Sequence, residues 1–226
     1  MEHRDPDVFS PCPRRIMKKT VCGILLALLG IAVALTAHAK GDAKRGQSAY
    51  AVCLACHGAN GEGNPALNAP RLSGQEDWYL VRQLQNFKAG IRGTDPKDAF
   101  GMQMRPMAMT LATDQVVEDV AAYIGTLKGK VPAPTVKGDA KAGKAAYAVC
   151  QACHGINGEG NKALNAPKLA GQQDWYVVRQ LQNFKQGIRG AHPKDVFGQQ
   201  MRPMAMMLAN DAAVNNVAAY IATLKE

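Results

Sequence analysis

The sequence predicts an all-α protein in which one small domain is used twice. Two observations carry this. Shifted by 97 positions, the chain falls on itself: Gly41-Asp42-Ala43-Lys44 meets Gly138-Asp139-Ala140-Lys141, and Met104-Arg105-Pro106-Met107-Ala108-Met109 meets Met201-Arg202-Pro203-Met204-Ala205-Met206. Roughly three positions in four are identical without a gap, which marks a tandem duplication. Within each copy the apolar residues recur at helical spacing, and no segment alternates as a half-buried strand would.

Residues 1–39 read as a leader. Lys18 and Lys19 form a basic start, Val21 to Leu35 is an apolar run, and Ala37-His38-Ala39 fits small-x-small cleavage after Ala39. The alternative is an uncleaved anchor, for which the run is short. Residues 1–16 have no apolar pattern and read as an upstream extension, with Met17 as the start. The first domain then covers 40–128, a linker with two prolines 129–137, and the second domain 138–226. In each copy a helix is expected over 42–56 from an Asp42 cap, followed by the Gly/Asn loop Gly58-Ala59-Asn60-Gly61-Glu62-Gly63-Asn64. A second helix is expected over 77–89 with Leu80, Leu84 and Phe87 as its stripe, ended by Gly90. Gly93, Pro96, Gly101 and Pro106 predict an irregular stretch up to the methionines. Thr113 then caps a last helix over 114–127, with Val116, Val117, Val120, Tyr123, Ile124 and Leu127 inward.

Cys53-Leu54-Ala55-Cys56-His57 recurs as Cys150-Gln151-Ala152-Cys153-His154. Two cysteines three apart with a histidine directly after form the attachment signature of c-type haem. Each thiol adds across one vinyl group, and the histidine falls under the iron as its proximal ligand. A thioredoxin-like pair would not need the histidine twice, and a zinc site would need further ligands in each copy. Of six cysteines, the remaining two, Cys12 and Cys22, lie in the leader. Two haem c groups are therefore expected, on Cys53, Cys56, Cys150 and Cys153, with His57 and His154 on the irons. For the sixth ligand, His3 and His38 leave with the leader, and His192 aligns with Asp95. Met102 aligns with Gln199, which leaves Met104/Met201, Met107/Met204 and Met109/Met206. A domain this small with so much loop has little core of its own, so the apoprotein is expected to be largely unfolded.

The net charge is +9, and removing the five Lys/Arg and three Asp/Glu of residues 1–39 leaves +7. Basic residues are scattered among acidic ones rather than clustered, which argues against nucleic acid. A modest positive field suits an acidic partner or peripheral contact with a membrane surface.

Ala69-Pro70-Arg71-Leu72-Ser73-Gly74-Gln75, a Gln-Leu helix containing Tyr79, a Met, and a closing Ala121-Ala122-Tyr123 helix complete the pattern begun by the CxxCH motif and the Gly/Asn loop. Present twice, it resembles the di-haem cytochrome c4 family, two class I cytochrome c domains in tandem, over essentially all of 41–226. The resemblance implies Met104 and Met201 as axial ligands, with Met107 and Met204 packing beside the haem. It implies that the Pro70 and Pro167 carbonyls accept the proximal histidines' N–H. It implies domains related by a pseudo-two-fold axis with the haem propionates close together, and a periplasmic location. Electrons would pass from a quinol-oxidising complex to a terminal oxidase, with no catalytic residues. The other readings are the cytochrome subunit of a periplasmic dehydrogenase, such as a flavocytochrome oxidising sulfide, and a di-haem peroxidase. The near-identity of the halves argues against a large difference between the two potentials. Arg71/Lys168 and Arg82/Arg179 could meet propionates or sit solvated. Trp78/Trp175 and Tyr79/Tyr176 could flank the haem or pack in the core, and Arg105/Arg202 could mark a docking edge.

Overall fold

The computed structural model describes residues 41–226; the predicted leader, its cleavage after Ala39, and Cys12 and Cys22 lie outside the described residues. Helix α1 (Ala43–Ala49) begins where the Asp42 carboxylate accepts from the Lys44 and Arg45 N–H groups. Helix α2 (Ala51–His57) follows after a single residue. The one helix expected over 42–56 is thus interrupted at Tyr50. Its carbonyl accepts from Cys53 N at 2.8 Å and Leu54 N at 3.1 Å, a locally tightened turn. The Tyr50 ring is buried, and its hydroxyl donates to the Gly58 carbonyl at 2.7 Å, tying the break to the residue after His57.

Helix α3 (Asp77–Lys88) runs as its stripe predicts and ends at Gly90, which takes φ 68°. Helix α4 (Ala99–Met109) corrects the expected irregular stretch. Asp98 caps it by accepting from Gly101 N at 3.0 Å. Pro106, inside the helix, forgoes only the bond to the Met102 carbonyl, and Met102 lies on the exposed side. Helix α5 (Asp114–Thr126) starts at Thr113, whose Oγ1 accepts from Val116 N. The second copy repeats the series as α6 (Ala140–Tyr147), α7 (Gln151–His154), α8 (Asp174–Lys185), α9 (Val196–Met206) and α10 (Asp211–Ile221). No strand occurs among the described residues.

The chief helix crossings are α1 on α5 and α6 on α10. Gly46 and Gly143 permit them: a Cβ on either would lie 1.9 Å from a backbone carbonyl oxygen, that of Asp119 or Asn216. Each copy has a small core, in the first made by Tyr50, Leu80, Leu111, Val117, Val120, Ala121 and Ile124. The segment between the copies is held at both ends. The Gly129 carbonyl accepts from Arg71 Nη2 at 2.9 Å, and the Thr135 and Val136 N–H groups donate to Asp174 Oδ2 at 2.6 Å.

Contacts between the halves are reciprocal. Gln75 Nε2 donates to the Lys168 carbonyl and Gln172 Nε2 to the Arg71 carbonyl. Arg82 donates to Asn165, and Arg179 to Asn68. This exchange of equivalent bonds is what a two-fold relation produces.

Two candidate haem clefts

Each copy opens a cleft between its CxxCH helix and its Met-bearing helix. The first spans about 1300 Å³ and the second about 1540 Å³, the open solvent at their rims included. In the first, Cys53, Cys56 and His57 stand on one wall, with Leu80, Leu84 and Phe87 of α3 and Phe100, Met104 and Met107 of α4 among the others. The second repeats this with Cys150, Cys153 and His154 against Phe197, Met201 and Met204. The inward stripe of α4 is Phe100, Gln103, Met104 and Met107, an i, i+3, i+4, i+7 helical pattern.

His57 is buried, and its Nδ1 lies 2.7 Å from the Pro70 carbonyl oxygen; His154 and Pro167 repeat the contact at 2.7 Å. A carbonyl only accepts, so Nδ1 carries the proton and Nε2 keeps its lone pair. Burial lowers the pKa of both imidazoles, partly opposed by the proline bond, so both are neutral. The buried Nε2 of His57 has no hydrogen-bond partner. Burial, helped by Cys56, pushes the Cys53 thiol up to about 11, and burial and Cys153 do the same to Cys150. Cys56 and Cys153 are exposed, and none of Cys53, Cys56, Cys150 and Cys153 is in a disulfide. Met109 and Met206 are 55% and 62% exposed and stand away from the clefts, which narrows the sulfur candidates to two per copy. Of these Met104 and Met201 are half-buried, while Met107 and Met204 are 42% and 39% exposed.

The fit to haem rests on three features of the chain itself. The walls are largely apolar, the His57 imidazole nitrogen is buried without a partner, and two cysteines three residues apart line each cleft beside a histidine. The other buried side-chain atoms without partners are all N–H donors, mostly in matched pairs: Trp78/Trp175 Nε1, Arg92/Arg189 Nε and Arg105/Arg202 Nε, with Arg179 Nη1 and Gln173 Nε2. Of these, Arg92 and Arg179 line the first cleft and Arg189 the second, and donors left over there suit a group that brings carboxylates. Among the described residues no three or more His, Cys, Asp or Glu gather as a group that could hold a metal ion.

Each cleft is finished by the other half. Gln172, Tyr176, Arg179 and Gln180 line the first, and Gln75, Tyr79, Arg82 and Gln83 the second. Arg82 lies 4.7 Å from the Phe197 ring centroid and Arg179 4.2 Å from that of Phe100, each across the junction. Arg71 is neither solvated nor free. It is buried, and its guanidinium binds Glu226, Ser73, Gly129 and Gly171. Arg92, Arg189, Gln83 and Gln180 were not legible as site residues. Their only signal was exact recurrence at 97 positions, which most of the chain shares.

The cytochrome c family pattern matches residues 43–128 and again 140–225. Cytochrome c4 of Stutzerimonas stutzeri is 39% identical over 86% of this chain and 93% of its own. A thiosulfate dehydrogenase electron acceptor of Thiomonas intermedia is 35% identical over 76% of this chain and 78% of its own. Among solved structures, reduced recombinant cytochrome c4 from Pseudomonas stutzeri superimposes with a TM-score of 0.65 at 35% identity, covering 81% of this chain and 99% of that one.

Proposed function

This chain belongs to the cytochrome c4 family, two cytochrome c domains in tandem with two covalent haem c groups at Cys53/Cys56 and Cys150/Cys153, and from that premise we propose that it is a periplasmic electron carrier rather than an enzyme. The observation that carries this is the pair of opposed walls, neutral imidazole on one and methionine sulfur on the other, in both copies. We assign the axial positions to His57 with Met104 and His154 with Met201. Haem with imidazole and thioether ligands supplies one reversible electron per iron at a raised potential, without an open position for a substrate.

The chain's own residues do the rest. The Pro70 and Pro167 carbonyls fix each imidazole's tautomer and turn Nε2 into the cleft. Tyr50 and Tyr147 hold the Gly58 and Gly155 carbonyls behind the histidines at 2.7 and 2.8 Å. Phe87, Leu84 and Leu80 keep the first cleft apolar, which limits water reorganisation when charge changes. Domains over 40–128 and 138–226, joined by 129–137, carry one centre each, and the leader exports the chain. Among the described residues no helix is long and apolar enough to cross a membrane.

The donor is read as a quinol-oxidising complex and the acceptor as a terminal oxidase. A second reading has support in the relatives named as electron acceptors of thiosulfate dehydrogenase. The test is to mix reduced protein with membranes containing the oxidase, and oxidised protein with thiosulfate dehydrogenase plus thiosulfate. Rapid oxidation by the membranes alone supports the first reading. Rapid reduction by the dehydrogenase moves the protein to the second, and turnover of thiosulfate without any dehydrogenase contradicts both.

A further inference from the structure

Between the two clefts lies a closed ring of four side chains. Arg92 donates from Nη1 to Gln83 Oε1 and from Nη2 to Gln180 Oε1, both at 2.9 Å. Arg189 donates from Nη1 to Gln180 Oε1 and from Nη2 to Gln83 Oε1, again at 2.9 Å. Each glutamine carbonyl is therefore shared by one arginine from each half. Arg92 also donates to the Tyr176 hydroxyl at 3.1 Å, and Arg189 to that of Tyr79 at 2.9 Å. Arg92 lines the first cleft, Arg189 the second, and Gln83, Gln180, Tyr79 and Tyr176 line both.

The electrostatics of this ring are incomplete within the chain. Both arginines are 8% exposed, and every acceptor they use is neutral. Asp195 favours the charge of Arg189 from nearby, but two guanidinium charges buried on neutral hydrogen-bond partners are costly unless further counter-charge arrives. Each arginine also keeps one buried Nε–H without a partner. Burial alone would push the Tyr79 phenol up, yet the charges of Arg189 and Arg92 hold it below its ordinary value, so the site favours negative charge.

We propose that Arg92 and Arg189 are positioning residues that each bind a carboxylate of the haem in their own cleft, and that Gln83 and Gln180 tie the two guanidiniums into one unit, so that the potentials of the two irons are set jointly. The inference rests on the two-haem carrier reading. Each iron takes one electron from the redox partner, and no bond forms or breaks in the chain. The positive ring favours the reduced state of both irons, and whatever alters one guanidinium moves the shared glutamines and is felt in the other cleft.

The test is optical redox titration of the two-haem protein, fitted to two one-electron components. Arg92→Gln, Arg189→Gln and Gln83→Glu are each expected to lower both components. The larger fall is expected to be about tenfold in the reduction equilibrium, 59 mV for a one-electron couple, and the smaller still resolved. Arg92→Lys, which keeps the charge, should recover most of the loss. The proposal is overturned if a variant that retains two haems moves one component only, or neither. If Arg92→Gln loses haem, Gln83→Glu decides alone, since Gln83 bonds both arginines. Carbon monoxide binding by the unaltered protein would sink the closed-carrier reading without touching the joint shift, which keeps the two failures apart.

Discussion

His57 reaches its cleft as a neutral imidazole because burial disfavours the charged ring and outweighs the opposing bond to the Pro70 carbonyl, which holds the one proton on Nδ1. Methionine sulfur is the ligand proposed opposite that nitrogen, and single substitutions tell which one. Met104→Ala and Met201→Ala are each expected to remove about half of the sulfur-to-ferric-iron absorption and to let carbon monoxide bind that haem. Met107→Ala should leave both unchanged; if it opens an iron, the ligand assignment is wrong. A second residue-scale difference separates the copies. Asp119, buried, accepts from Arg45 Nε at 2.7 Å and from the Asp42 N–H at 2.7 Å, whereas its counterpart is the neutral Asn216. The Arg45 hydrogen bond leads in holding Asp119 down at about 2, below its ordinary 3.8. A depressed carboxylate stabilises the fold above its unfolded pKa and loses that contribution as pH falls through the folded value. Asp119→Asn should therefore lower the unfolding midpoint at pH 5 to 7, with the deficit shrinking between about pH 4 and pH 2. A deficit that stays constant through that window would mean that the charge of Asp119 is not what matters.

At the scale of the elements, the crossings of α1 on α5 and α6 on α10 depend on the missing side chains of Gly46 and Gly143. Gly46→Val or Gly143→Val would put carbon into a backbone carbonyl and force the helices apart. The expected cost is about 1–3 kcal/mol in urea unfolding of the holoprotein. An unchanged midpoint would show that the crossing can open freely. Three of the helical signals were plain in the sequence: the Asp42 cap, the Leu80/Leu84/Phe87 stripe and the Thr113 cap. Two others were missed for physical reasons. Gly101 and Pro106 read as breakers, but the Asp98 cap and an exposed Met102 carbonyl side leave α4 little to lose, while its Phe100/Met104/Met107 stripe was present all along. The break at Tyr50 lies in helical backbone and comes from a long-range bond to Gly58, which local propensity does not encode.

At the scale of the whole molecule, the covalent half of the site was legible because CxxCH is local, and the shared half was not because it exists only where the two copies meet. Arg71 shows this best. It binds Glu226 through two nitrogens, 2.8 and 3.0 Å, at the far end of the chain, while its counterpart Lys168 makes only a 3.3 Å contact with the same carboxylate. Breaking a buried arginine pair typically costs about 3 kcal/mol, so Arg71→Ala should destabilise the protein by about that much and split its thermal unfolding into two transitions. A single transition at the original midpoint would show that the halves are joined by other contacts. The core clusters are also small for folding alone, each built on seven buried residues. The haem-free chain is accordingly expected to lack cooperative thermal unfolding by circular dichroism.

The measurement closest to the central claim is the visible spectrum of the purified protein, oxidised and reduced, with and without carbon monoxide, together with haem content per chain. The account predicts two haems, a sulfur-to-ferric-iron band, and no change on adding carbon monoxide. Binding of carbon monoxide to either haem would reveal an open iron, and the reading of two closed electron-transfer centres would then be wrong.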